Sequence, residues 1–194
     1  MDVETRACGS GQLQVELRGE AKAPILRGHA AVFGELSRDL GGFREQIAPG
    51  AFADALKSDD VRLLINHAGL PLARTGSGTL RLAEDARGLL VEADLDPEDP
   101  DVRSLLPKMQ RGDVNQMSFG FSVSPGGQDW AKDKEGRVVR TLRSLRLFDV
   151  SVVAFPAYPQ TDVAVRSLRG WQAAQDRPRR PNLLRALAEQ SRAL

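Results

Sequence analysis

Met117-Ser118-Phe119-Gly120-Phe121-Ser122-Val123-Ser124 carries the sharpest alternation in the chain. Successive side chains of a β-strand leave on opposite faces, so Met117, Phe119, Phe121 and Val123 line one side and Ser118, Gly120, Ser122 and Ser124 the other. The first set needs a core to cover it. Outward from this strand, other segments share its character. Residues 13–17 alternate Leu13, Val15 and Leu17 with Gln14 and Glu16, and residues 25–33, 61–66, 138–142 and 145–155 are β-rich runs. Residues 79–82 and 89–95 flank Glu84-Asp85-Ala86-Arg87-Gly88, a glycine-containing hairpin turn. Residues 41–47 read as a strand or a loop, and residues 125–137 as a loop or a hairpin extension.

Helical signals are few. Pro49 suits the first turn of a short helix ending near Asp59. Glu92 to Asp101 holds six acids and no base. It lacks the glycine and the terminal glutamate of a calcium loop, which leaves a solvated turn in which Asp99 or Asp101 caps a helix through Met109. The expected class is therefore α+β, with a mostly antiparallel, barrel-like β core and peripheral helices.

Composition narrows the function. The 194 residues fit one domain with an added arm, with 41% hydrophobic and 27% charged side chains. The net charge of +1 gives no whole-chain reason to expect nucleic acid or an anionic membrane. That average hides a division: from Arg166 onward seven arginines stand against Asp176 and Glu189, so the preceding body is acidic and the tail basic. One cysteine, Cys8, excludes an internal disulfide. Two histidines, His29 and His67, exclude a three-histidine zinc site, and no metal-binding motif accompanies them. No stretch reaches the ~18 apolar residues of a membrane span, and the start lacks a signal peptide's pattern. The expected organisation is a flexible N-terminus at 1–12, a body at 13–165, a proline-broken linker at 166–181, and an amphipathic C-terminal helix at 182–194 capped by Asn182.

Three residues could carry chemistry: His67 at a strand end, Ser118 on the small-residue face, and Asp149 inside an apolar strand. Each also has a plain structural reading. His67 can be a loop residue, Ser118 a serine on an exposed sheet face, and Asp149 a buried acid paired with Arg143 or Arg146. Together they fit one mechanism: a serine needs a neighbouring base, and a carboxylate behind an imidazole fixes its tautomer. Gly120, on the face of Ser118, would leave room for a substrate to approach. No G-x-S-x-G elbow is present, against an α/β-hydrolase.

The runs Gly28-His29-Ala30-Ala31-Val32-Phe33, Ile47-Ala48-Pro49-Gly50-Ala51-Phe52, Asn66-His67, Met117-Ser118-Phe119-Gly120-Phe121 and Phe148-Asp149-Val150-Ser151-Val152-Val153, the last followed by Pro156-Ala157, occur in one order. In that order the chain resembles the HK97-type prohead maturation proteases of tailed phages, from about residue 17 to 165. The resemblance implies a serine endopeptidase with a herpesvirus-protease-like fold that needs no cofactor and no metal. It implies cleavage of scaffold or major capsid protein, and of the protease itself, inside immature capsids in the host cytoplasm. Portal protein and a second copy of the chain are further candidate partners; no nucleic acid or membrane is implied. Matched residue by residue, Ser118 is the nucleophile, His67 the base and Asp149 the third member, where many relatives carry glutamate and the assemblins a second histidine. His29 precedes His67 and is read as structural. Two rivals remain: a non-enzymatic capsid-assembly factor built on a protease-like domain, and an unrelated hydrolase of small esters.

Overall fold

The computed structural model describes residues 3–8, 13–18, 23–154 and 162–175. Among these, the strands in chain order are β1 (Glu4–Cys8), β2 (Gln14–Arg18), β3 (Ala23–Val32), β4 (Arg44–Ile47), β5 (Arg62–Ile65), β6 (Ala68–Arg74), β7 (Leu80–Glu84), β8 (Gly88–Asp94), β9 (Gln116–Val123), β10 (Gln128–Lys132), β11 (Val138–Leu142) and β12 (Leu145–Val153). The helices are α1 (Ala55–Ser58), α2 (Pro100–Gln110) and α3 (Asp162–Gln175). The class is mostly β with few helices, as expected. The strands form three sheets, ordered β1-β9-β12-β5-β6, β2-β3-β8-β7 and β10-β11-β4. They do not close into a barrel, which corrects the barrel-like expectation: no ladder among the described residues joins the edges of these sheets. Pairing is antiparallel except for β12 with β5 and β11 with β4.

The apolar face of β9 decides where the core sits. Met117, Phe119 and Phe121 are buried in one cluster with Leu26 and Ala30 of β3, Leu89 and Val91 of β8, and Leu147, Val150 and Val152 of β12. The five-stranded and four-stranded sheets therefore share one core. Phe119 sits edge-on to Phe52 at 5.5 Å and stacks on Phe121 at 5.0 Å. The opposite face of β9 is covered too: Ser118 and Ser122 are buried, so this is not the exposed serine face of the plain reading.

Asp99 caps α2 as expected, its side chain accepting from the Asp101 amide at 2.8 Å. Two parts of the domain plan differ. Residues 1–12, expected to be flexible, contain β1, which pairs with β9 along its full length. Among its described side chains the buried ones are Glu4 and Arg6, so a search for apolar alternation passes over it. Part of the expected linker, up to Gln175, is α3. Its Ala164 and Leu168 pack with Leu40 and Phe43, and its Trp171 ring stacks on Trp130 at 6.2 Å. Residues 176–181 and the C-terminal helix lie outside the described residues, as does Pro156-Ala157.

β1 is anchored by a buried, charge-balanced quartet. Arg6 donates to Glu45 Oε1 of β4 at 2.7 Å and to Glu4 at 2.8 Å. Arg140 of β11, 1% exposed, donates to Glu4 Oε2 and Oε1 at 2.8 and 2.9 Å and to Glu45 at 2.9 Å. Burial pushes the Glu4 carboxyl up, but the hydrogen bonds and charges of Arg140 and Arg6 outweigh it and hold it below its ordinary 4.5. A carboxyl lowered in the folded state stabilises above its unfolded value, and that contribution is lost as pH falls through the folded one. The urea midpoint of the wild type therefore falls as pH is taken below 4.5. Arg140→Ala leaves two carboxylates facing one guanidinium and lowers the unfolding free energy by roughly 3–5 kcal/mol; a loss near zero in urea titrations would show the quartet to be energetically idle.

Candidate active site

Ser118 lies in the middle of β9, opposite Ala7 of β1 on one side and Ser151 of β12 on the other. Its face of the sheet is completed by an irregularity in the β9–β12 ladder. Leu147 pairs with Phe121, yet Asp149 pairs with Gly120, so Phe148 has no partner. This one-residue bulge reverses the alternation. Leu145 and Leu147 point into the core before it, and Val150 and Val152 after it. Asp149 and Ser151 are thereby turned onto the face of Ser118. In an unbroken strand Asp149 would share the core face of Leu147.

His67 comes from the connection between β5 and β6. Ile65 pairs with Ala68, so Asn66 and His67 are the two residues of a tight hairpin turn. Their φ values are 52° and 58°, the left-handed values that the primed hairpin turns require. Asparagine tolerates this conformation; for histidine it carries strain of about 1–3 kcal/mol that the surroundings must hold. Three hydrogen bonds do so. The Asn66 amide donates to the Val152 carbonyl at 2.9 Å, the Asn66 side-chain oxygen accepts from the Ala154 amide at 3.0 Å, and the His67 amide donates to Ser151 Oγ at 3.2 Å. Parallel pairing of β5 with β12 places Ile65 beside Val152, so the turn projects over the Asp149 side of the sheet.

The three residues singled out in the sequence come together in one hydrogen-bonded series. His67 Nδ1 is 2.6 Å from Asp149 Oδ1, and His67 Nε2 is 2.7 Å from Ser118 Oγ. An ionised carboxylate only accepts, so Nδ1 carries a proton toward Asp149, which leaves Nε2 of the neutral ring able to accept from the serine. Ser151 Oγ also donates to Asp149 Oδ1, at 2.6 Å. Asp149 is therefore satisfied by His67 and Ser151, not by the arginines considered from sequence. Arg146 pairs with Asp59 at 2.8 Å, and Arg143 pairs with Asp129. Ser151 does not stand out in the sequence, although its spacing of two from Asp149 puts both on one face of any strand. A hydroxyl, an imidazole and a carboxylate in this order can move a proton off the hydroxyl as it attacks an electrophile.

Gly120 serves a different purpose from the one expected. A Cβ at this position would lie 2.2 Å from Asp149 Oδ2, so the space belongs to the carboxylate and not to a substrate. His29 Nε2 meets Asp85 Oδ2 at 2.8 Å, and this bond, with the Gly88 and Arg87 amides, holds the Asp85 carboxyl down to about 2. No group of His, Cys, Asp and Glu among the described residues could hold a metal ion, and no helix of the described chain is long and apolar enough to cross a membrane. Gly120→Ala must displace the Asp149 carboxylate, with overpacking of roughly 1–3 kcal/mol. Its melting temperature falls below that of the wild type; an unchanged one would show that Asp149 has another rotamer at no cost.

The profile of a family described as caudovirus prohead serine protease matches residues 12–176. The chain is 33% identical over 170 residues to the prohead protease of Enterobacteria phage HK97, an alignment that covers 85% of this chain and 70% of that protein. No solved structure matches significantly.

Proposed function

The chain belongs to the caudovirus prohead serine protease family and is a serine peptidase of phage prohead maturation, and we propose that Ser118, His67 and Asp149 form its catalytic triad. The observation that carries this reading is the unbroken series from Asp149 Oδ1 through His67 to Ser118 Oγ, with links of 2.6 and 2.7 Å. Ser118 Oγ attacks the scissile carbonyl while His67 Nε2 takes its proton. The imidazolium so formed is stabilised by Asp149, and it returns the proton to the leaving amine. Water then enters, loses a proton to His67, and releases the acyl group from Ser118. Ser151 holds Asp149 in the rotamer that faces His67.

The substrates in this reading are the major capsid protein and scaffold segments enclosed in proheads, with self-cleavage as a further reaction. The C-terminal helix expected at 182–194, at the end of the basic tail that begins at Arg166, is a docking or removable arm toward them. The tail's seven arginines against two acids suit an acidic surface on the partner. Portal contact and self-association belong to the same assembly setting.

Co-expression with the cognate capsid protein, followed by mass spectrometry of the products, tests the triad. Ser118→Ala keeps the fold and gives no processed capsid protein, whereas undiminished processing would remove Ser118 from its role. Asp149→Asn slows cleavage by about 10⁴-fold through the wrong imidazole tautomer, and wild-type rates would make Asp149 a structural acid. Deleting everything after Gln175 reduces incorporation into proheads more than it reduces cleavage of a free peptide; equal loss of both would argue against an arm.

A further inference from the structure

Ser118 is 0% exposed, and a peptide cannot be cut by a hydroxyl that it cannot touch. β1 occupies the edge of β9 beside it. Ala7 is the residue opposite Ser118, and Ser118 Oγ lies 2.8 Å from the carbonyl oxygen of Arg6, to which it can donate. The hydroxyl has one proton and two acceptors within reach, His67 Nε2 and this carbonyl. A proton held by Arg6 is not available to His67. Extended peptides add to sheet edges through main-chain hydrogen bonds, and the β9 edge is the one that runs past Ser118. From these facts we infer that β1 sits in the substrate's seat, a strand of the enzyme lying where the strand to be cut must lie. This rests on Ser118 being the nucleophile.

The side chains of β1 then define what the seat recognises. Arg6, whose carbonyl meets Ser118, reaches Glu45, and Glu4, two residues earlier on the same face, reaches Arg140. Glu45 and Arg140 also pair directly with each other at 2.9 Å, a contact in which β1 takes no part. Withdrawal of β1 therefore removes one acid and one base together and leaves no uncompensated buried charge. The seat takes an extended segment with a basic residue immediately before the cut bond and an acidic residue two positions before that. Its Arg6 end is flanked by a cavity of about 200 Å³, lined in part by Arg6, Ala7, Glu45 and Phe119, which gives the exchanging strands room. Exchange is also concentration-dependent. A tethered strand competes at an effective concentration of order mM, so dilute substrate leaves β1 in place. Substrate packed at similar concentration, as in the interior of a prohead, displaces it.

The test uses the full-length wild-type protein and a tripeptidyl diphenyl phosphonate of sequence glutamate, threonine, arginine, supplied at about millimolar concentration so that it competes with the tethered strand; it bonds its phosphorus to the serine oxygen and expels phenol. Ser118 is modified at least about tenfold faster by this probe than by its counterpart with glutamate in the last position. In the adduct, the backbone amides of residues 4–8 exchange with deuterium at least about tenfold faster than in the free protein, while those of β9 stay protected. Modification of Ser118 with residues 4–8 still protected, or equal rates for the two probes, overturns the seat and leaves the triad standing. No modification of Ser118 by either probe overturns the triad and the seat together.

Discussion

Between Leu147 and Asp149 the β9–β12 ladder slips by one residue, and the whole site hangs on that slip. Both strands need apolar side chains toward the shared core, and β12 meets this need on both sides of Phe148 with alternate residues of opposite parity. The bulge lets Leu145 and Leu147, then Val150 and Val152, face the same core. The polar pair Asp149 and Ser151 is thereby delivered to the other face, beside Ser118. Gly120 completes the constraint, since any side chain there would collide with the carboxylate that the bulge has turned inward.

A carboxylate so placed would be costly if left alone. It is held by two short bonds to one oxygen, from His67 and Ser151, and Ser151 in turn accepts from the His67 amide. The serine two residues beyond the acid thus ties the carboxylate to the strained turn that presents the imidazole. Left-handed Asn66 and His67 are tolerated because the parallel β5–β12 pair supplies partners on both sides of the turn. Backbone strain, a buried acid and a buried hydroxyl are each unfavourable singly; here each satisfies another.

The opposite side of β9 is governed by a second polar system. Glu4, Arg6, Glu45 and Arg140 unite β1, β4 and β11 with no net charge, and so bring the five-stranded and three-stranded sheets together. Arg6 also lies over the Phe121 ring at 5.6 Å. The strand that carries two of these ions is the one whose carbonyl touches Ser118. The charges that fasten β1 and the hydroxyl that it covers are therefore coupled through a single short segment.

Much of this was legible in the residues alone. The alternation of residues 117–124 implied β9 and its core face, the acid turn and Asp99 implied α2, and the serine, histidine and acid implied the chemistry that the series can perform. Local pattern sufficed there because burial on one face imposes a period of two, and capping imposes an acid at a known place. β1 escaped because its buried residues are charged, and charge signals exposure until a partner of opposite sign is known. α3 escaped because its polar residues outnumber the few apolar ones that meet Leu40, Phe43 and Trp130. The sequence by itself determined which side chains could do the chemistry. Only the tertiary structure decided that they meet, because the bulge at Phe148, the left-handed turn at His67 and the burial of Ser118 beside β1 each arise from contacts between segments far apart in the chain.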